Sequence, residues 1–205
     1  RLETADVLRA ALAVNPNDAR AEYYLGNLLF DLQPDAAIEH WERSQSLDAS
    51  LAIVHRNLGW AYHHVRNDAA KAIACYERAL SCNQLEPRLF LELDVLYENA
   101  NVAPDKRLAA LAAHHAIVAR REDSLQREIA LLVLNGQYAQ AIEYLAGNYF
   151  HAQEGRDEIH DIHVDAHLLE GLQLLKRAQA ADALVHFETA AEYPENLSVG
   201  RPKND

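Results

Sequence analysis

Small and large apolar residues recur in one order along the chain, with polar residues between them. Each copy begins with a glycine, and a large apolar residue follows it three residues later. Further along come an alanine and, four residues after the alanine, an aromatic residue or a leucine. Three full copies and one partial copy of this order are present: Gly26 with Ala37 and Trp41, Gly59 with Ala72 and Tyr76, Gly171 with Ala183 and Phe187, and, in part, Gly136 with Ala141 and Leu145. The spacing of the copies predicts a repeat of about 34 residues.

Three of the glycines, Gly26, Gly59 and Gly171, lie in segments with helical periodicity. A glycine inside a helix costs about 1 kcal/mol relative to alanine. This destabilising glycine recurs at the same position of each repeat, which indicates a packing requirement. A position without a side chain lets a second helix approach closely. We therefore predict that each glycine faces the alanine and the large residue of the following helix.

This frame predicts an all-α chain. Its low content of helix breakers, 7 glycines and 6 prolines, agrees with that class. The predicted helices are 4–15, 19–32 with 35–47, 51–65 with 68–82, 86–99 with 104–120, 122–135 with 138–146, and 159–176 with 179–192. The 86–120 pair is the weakest, because it lacks the glycine.

The pattern Leu-Gly-x2-Tyr…Ala-x3-aromatic resembles the tetratricopeptide repeat. The resemblance implies a right-handed superhelical solenoid of antiparallel helix pairs. We interpret residues 1–205 as one array of about five repeats, the first one partial, with an insertion at 147–158 and a non-helical tail at 195–205. The chain reads as a piece of a longer protein. More weakly, its last part resembles the C-terminal repeat region of large bacterial proteins with a β-rich N-terminal part.

The resemblance also implies that the first helix of each pair lines a concave, partner-binding surface. Aligning on the glycines selects six candidate groove residues, rich in hot-spot types: Tyr23, Asn27, Phe30, Arg56, Trp60 and His63. The same alignment extends the surface toward the C-terminus with Gln126, Ala130, Val133, Leu168, Leu172 and Leu175. We expect the inserted loop, through Tyr149 or Phe150, to fold over the three leucines. Family members that grip a peptide carboxylate need basic residues where this chain has Tyr23, Pro87 and Leu91, so that type of recognition is not predicted.

The net charge of the chain disfavours some classes of binding partner. The chain has 31 acidic and 19 basic residues and a formal net charge of −12, which disfavours nucleic acid and anionic membrane surfaces. We predict a protein or peptide segment, or another domain of the same chain, as the partner. Two cysteines, Cys75 and Cys82, are interpreted as free thiols of a cytoplasmic protein.

Histidines raise the question of a metal site. His163 and His167 are one helical turn apart and His160 precedes them, a spacing that a zinc site can use. However, His167 and His55 each stand four residues before a repeat glycine, where the family has a packing aromatic. No catalytic motif accompanies them. We therefore predict no metal, no cofactor and no enzymatic activity. Two alternatives stay open: a repeat domain that supports an N-terminal, carbohydrate-related domain, and a metal-dependent enzyme that uses these histidines.

Overall fold

The computed structural model describes residues 2–151 and 158–199, which contain helices and turns and no strand. The helices, numbered in chain order, are α1 (Leu2–Val14), α2 (Ala19–Leu29), α3 (Pro34–Leu47), α4 (Ala52–His64), α5 (Ala69–Cys82), α6 (Pro87–Asn99), α7 (Pro104–Ala112), α8 (His115–Val118), α9 (Glu122–Leu134), α10 (Tyr138–Gly147), α11 (Glu158–Lys176) and α12 (Ala180–Ala190), followed by a 3-10 turn, Glu195–Leu197. Among the described helices, none is both long enough and apolar enough to cross a membrane. The chain forms two compact units, residues 1–101 and 102–205.

Unit 1 consists of α1–α6, with the closest packing inside the pairs α2–α3 and α4–α5. Local sequence sets where these helices begin. The carboxylate of Asp18 accepts hydrogen bonds of 3.0 Å from the backbone N–H groups of Arg20 and Ala21, and Asp68 accepts one of 3.0 Å from Lys71. Pro34 occupies the first turn of α3, where its missing N–H is not needed.

Gly26, Gly59 and Gly171 face the large residues of the following helices, as the pattern predicts, whereas Gly136 of the partial copy lies in a turn. A Cβ atom added at Gly26 would lie 2.5 Å from Nε1 of Trp41, and one at Gly59 would lie 2.6 Å from Cδ2 of Tyr76. The frame alanines are fully buried: Ala37, Ala72, Ala141 and Ala183. The predicted helix-pair packing is therefore confirmed in both units.

Unit 2 consists of α7–α12, with α11–α12 as its most extensive pair. The prediction of one helix over 104–120 is wrong, because the helix ends at Ala112 and a short helix, α8, starts at His115. After this break Nδ1 of His115 lies 2.9 Å from the buried carboxylate of Glu128, and its ring stacks on Tyr144 with centroids 4.4 Å apart. Helical periodicity does not report such tertiary contacts.

The inserted segment meets the C-terminal tail. The backbone N–H of Phe150 donates to the carbonyl of Asn196 at 2.7 Å, and the side-chain amide of Asn196 donates to the carbonyls of Leu145 and Asn148 at 2.8 and 2.7 Å. The hydroxyl groups of Tyr149 and Ser198 are 2.9 Å apart. These bonds satisfy loop backbone groups that would otherwise need water. Residues 152–157 of the predicted insertion lie outside the described residues, as do residues 200–205 of the tail.

The predicted closure of the inserted loop over the α11 leucines stays a prediction, because residues 152–157 of that loop lie outside the described residues. Leu168, Leu172 and Leu175 are 39, 48 and 46 % exposed. Phe150 is buried, and the hydrogen bonds of this segment are made with the tail. The expectation of one continuous array stays a prediction, and the boundary between the two compact units follows Asn101, within the helix pair that lacks the repeat glycine.

Candidate partner-binding site

Unit 1 has an open pocket of about 340 Å³ beside α2, α3 and α4. We call it the aromatic pocket, and its lining is Asn27, Phe30, Asp31, Trp41, Arg56, Asn57 and Trp60. Four of the six candidate groove residues are thus brought together: Asn27, Phe30, Arg56 and Trp60. Tyr23 and His63 are half-buried and do not line the pocket.

Three aromatic rings form the apolar wall. Phe30 stacks on Trp41, with ring centroids 5.1 Å apart. The rings of Phe30 and Trp60 meet edge to face, with centroids 5.4 Å apart. Trp41 is 3 % exposed and forms the buried part of the wall, whereas Trp60 remains 40 % exposed. Trp60 also packs on His64 at 4.3 Å, so its ring is held in place on one side and open to solvent on the other.

A hydrogen-bonded amide pair lies beside the rings. Nε1–H of Trp41 donates to Oδ1 of Asn27 at 3.0 Å and to the carbonyl of Tyr23 at 3.2 Å. The side-chain amide of Asn57 donates to the same Oδ1 of Asn27 at 3.0 Å. Among the residues that the structure describes, the amide hydrogens of Asn27 and the side-chain oxygen of Asn57 take part in no hydrogen bond.

The cation of the pocket is already paired. Arg56 binds both carboxylate oxygens of Glu92, at 2.8 and 2.6 Å, and Arg88 donates to Glu92 at 2.8 Å. Burial raises the pKa of Glu92, but the hydrogen bonds and charge of Arg56, with help from Arg88, outweigh it and leave that pKa below its usual value. The hydrogen bond to Glu92 raises the pKa of Arg56. Arg56 is therefore a fixed, neutralised part of the wall.

The residues that sequence reasoning did not assign to binding are Asp31, Trp41 and Asn57. Trp41 was correctly predicted as a packing residue, and it is 3 % exposed but still contributes to the lining of the pocket. Asn57 lies three residues before Trp60 on α4, so the two share a helix face and line the same pocket. Asp31 follows Phe30 just beyond α2, where no periodicity applies.

The histidines of α11 lie against α12 and the chain that follows it. Nε2–H of His163 donates to the carbonyl of Thr189 at 3.1 Å, and Nε2–H of His160 donates to that of Glu192 at 3.0 Å. The Nδ1 atoms of His167 and His186 are 3.0 Å apart, so one donates and the other accepts.

Burial lowers the pKa of His163, and burial together with the charges of His163 and His186 lowers the pKa of His167 to about 4. His167 is 7 % exposed and His163 is 4 % exposed, which agrees with the predicted packing role of His167. No three His, Cys, Asp or Glu side chains in the described parts of the chain are arranged to hold a metal ion.

His55, at the corresponding position of unit 1, is 1 % exposed and packs in the same way. Its Nε2–H donates to the carbonyl of Ala49 at 2.9 Å, and the amide of Gln45 donates to its Nδ1 at 3.0 Å. Both ring nitrogens are therefore used by neighbouring groups, which fixes the tautomer.

The predicted C-terminal part of the groove is only partly at the surface. Val133 is 9 % exposed and belongs to the core of unit 2. It is the last of three successive buried residues of α9, after Leu131 and Leu132. Ala130 and Gln126 are half-buried, and Gln126 donates to Glu158 at 3.5 Å. The α11 leucines are the exposed part of this set.

Several solved structures are similar to this chain over most of its length. The first is YrrB, described as a TPR protein with an unusual peptide-binding site, with a TM-score of 0.62 at 19 % identity over 91 % of each chain. PilF of Pseudomonas aeruginosa has a TM-score of 0.56 at 18 % identity, over 87 % of this chain and 78 % of its own. PilW, a type IV pilus biogenesis factor, has a TM-score of 0.51 at 18 % identity, over 93 % and 86 %.

No protein-family model matches the chain. The weaker resemblance to large bacterial proteins with a β-rich N-terminal part finds no support in these structures. The glycine-centred helix pairs and the similar structures agree with each other, and the chain has the fold of the tetratricopeptide repeat proteins.

Proposed function

We propose that this chain is a non-enzymatic interaction scaffold that holds an extended segment of a partner protein at the aromatic pocket. The observation that carries the proposal is the half-exposed Trp60, whose ring is fixed by Phe30 and His64 above an open pocket of about 340 Å³. Rigid aromatic side chains give a large contact area at a low cost in conformational entropy. The pocket has room for one large apolar side chain.

The amide pair suits the backbone of an extended segment. A peptide unit offers one donor and one acceptor. The amide hydrogens of Asn27 and the side-chain oxygen of Asn57 supply the opposite pair beside the rings. The segment would thus be held by its backbone next to the pocket and by one apolar side chain inside it.

The charges select the type of segment. Because Glu92 already neutralises Arg56, an acidic residue that enters the pocket would have to compete with a bidentate pair. The net charge of −12 likewise opposes a strongly acidic partner, nucleic acid or an anionic membrane. A neutral or basic segment with an aromatic or large aliphatic residue fits best. The peptide-binding site named for YrrB is consistent with this role for the fold.

The test uses a random peptide library displayed on phage, selected on the whole chain. A selected peptide is then titrated by fluorescence polarisation against the wild type and Trp60→Ala. We expect Trp60→Ala to weaken binding about tenfold or more, since a central aromatic anchor commonly contributes that much. Tyr24→Ala is the matched control, because Tyr24 is an exposed aromatic residue of α2 outside the pocket lining.

Equal affinity of the wild type and Trp60→Ala for every selected peptide would contradict the proposal. So would an equal loss in Tyr24→Ala. Far-UV circular dichroism of each variant separates loss of binding from loss of fold.

A further inference from the structure

One face of α11 carries five exposed residues in a row. They are Asp161, Asp165, Leu168, Leu172 and Leu175, and we call them the α11 stripe. Their spacings alternate between four and three residues, which places them on a single line along the helix. The stripe is about 21 Å long at the rise of an α-helix. It begins with two carboxylates and ends with three leucines.

The core of unit 2 does not use this face. The buried residues of α11 lie on its other faces: Ile159, His163, Ala166, His167, Gly171 and Leu174. The helices that pack on α11 are α12, α10 and α9. The three stripe leucines stay 39–48 % exposed, so α11 has a second apolar face that the described part of unit 2 leaves open. Contiguous exposed leucines typically mark an interaction surface.

The two carboxylates lack a partner within the described residues, where neither Asp161 nor Asp165 makes an ion pair or a side-chain hydrogen bond. Asp161 lies in the first turn of α11, where interaction with the helix dipole is sufficient reason for an acidic residue. Asp165 lies one turn further, where that effect has faded. Its alignment with the leucines is thus not explained by helix stability.

We propose that the α11 stripe docks an amphipathic helix of another protein, with aliphatic side chains at heptad spacing on the leucines and Lys or Arg side chains facing Asp161 and Asp165. Two helices that pack lengthwise meet through residues at alternating spacings of three and four. The carboxylates then set the register and select a partner with positive charge at one end. This site is separate from the aromatic pocket, because it lies in unit 2 and takes a helix rather than an extended segment.

A second copy of the chain fits this surface poorly. Parallel pairing of two α11 helices sets Asp161 and Asp165 against the same residues of the other copy, and like charges repel. Antiparallel pairing along the full stripe sets Asp161 against Leu175, which removes water from a carboxylate without supplying a hydrogen bond. A basic partner helix avoids both costs.

The test uses three stapled peptides of about 18 residues, a length at which an isolated helix is marginal without the staple. All carry leucines at heptad spacing: the first has Lys facing the two carboxylates, the second has Glu there, and the third is a scramble of the first. Binding to the whole chain is measured by fluorescence polarisation at physiological salt. We expect the Lys peptide to bind at least tenfold more tightly than the Glu peptide and the scramble.

Variants of the chain identify the surface. Leu172→Ala is expected to weaken the Lys peptide about tenfold, and Asp161→Lys with Asp165→Lys is expected to reverse the preference in favour of the Glu peptide. Leu184→Ala is the matched control, because Leu184 of α12 is 56 % exposed and lies outside the stripe. Trp60→Ala should bind the Lys peptide as the wild type does, which keeps this test independent of the aromatic pocket.

Three outcomes would overturn the proposal. The first is equal binding of the Lys peptide and its scramble, which would indicate unspecific attraction to an acidic chain. The second is an unchanged peptide preference in the double Asp variant with its helical content intact. The third is a dimer in analytical ultracentrifugation that Leu172→Ala dissociates, which would make a second copy the occupant of the stripe.

Discussion

The two units carry the same repeat frame but present different surfaces. In unit 1 the exposed ring of Trp60 is held by Phe30 and His64 at the edge of a pocket. In unit 2 the corresponding first helix, α11, shows three exposed leucines in line with two carboxylates that have no partner among the described residues. The same backbone thus supports a pre-organised pocket in one unit and an open helix face in the other.

This difference separates the residues that determine the fold from the residues that we propose for recognition. Gly59 with Tyr76 and Gly171 with Phe187 make the same close contact in the two units. Trp60 and Leu172 each follow the repeat glycine by one residue, but one is an aromatic ring packed on Phe30 and His64 and the other is an exposed aliphatic side chain. The packing glycine and the proposed binding residue are therefore neighbours in the sequence, and the second can vary while the first is kept.

The largest effect is expected when the shared contact is broken. Gly59→Leu places a large side chain where even a Cβ would lie 2.6 Å from the ring of Tyr76, which is 3 % exposed and has no room to move. We expect a loss of about 3 kcal/mol or more in the free energy of unfolding. Both tryptophans, Trp41 and Trp60, belong to unit 1, so their fluorescence during urea denaturation reports the change in that unit.

Gly171→Leu should lower the free energy of unfolding by less, about 1 to 2 kcal/mol. This is expected although a Cβ at that position would lie 2.5 Å from the ring of Phe187. Phe187 is only half-buried and has space to turn outward. The unfolding midpoint of this variant is measured by circular dichroism during urea denaturation. Gly147→Leu is the control, because nothing lies within 4 Å of a Cβ at that position. A wild-type midpoint for Gly59→Leu would show that the repeat frame is wrong.

Acid is expected to destabilise unit 2 through His167, by less than Gly59→Leu destabilises unit 1. Its pKa in the folded chain is about 4, below the usual histidine value of 6.5, so between these pH values the unfolded chain binds more protons. The free energy of unfolding is therefore unaffected by this histidine above pH 6.5. As the pH falls toward 4 it decreases, by an amount on the order of 2 kcal/mol. The lowered pKa of His163 acts in the same direction.

Thermal unfolding between pH 7.5 and 4.5, followed by circular dichroism, checks this expectation. His167→Gln cannot take up the proton, and its melting temperature should fall less on acidification than that of the wild type. Leu184→Gln on the exposed side of α12 serves as the control and should keep the wild-type slope, because it changes no titratable group. An identical slope for His167→Gln would contradict the assignment of the acid sensitivity to the α11 histidines.

The sequence predicted the helix pairs well because the signal is local. Gly26, Gly59 and Gly171 occur at fixed distances from the alanine and the large residue that they contact, so a single pattern carries both the helices and their packing. The break at 113–114 was not predicted, because it depends on contacts of His115 with residues of α9 and α10.

The candidate site was predicted only in part for the same reason. The repeat alignment selects a helix face and so finds Asn27, Phe30, Arg56 and Trp60. It does not report that Glu92, far along the chain, neutralises Arg56. It also does not report that Asn196 of the tail binds the start of the inserted loop.

The smallest effect concerns two exposed residues at equivalent positions of the two units. Trp60 and Leu172 are 40 and 48 % exposed, so exposure alone predicts similar costs of truncation. Trp60→Ala removes ring contacts with Phe30 and His64 and should cost about 1 kcal/mol. Leu172→Ala should change the free energy of unfolding by less than about 0.5 kcal/mol, as is usual for surface positions without such contacts. Urea denaturation of both variants measures the difference. A loss in Leu172→Ala as large as that in Trp60→Ala would mean that the stripe packs within unit 2, and the α11 stripe would then not be a docking surface.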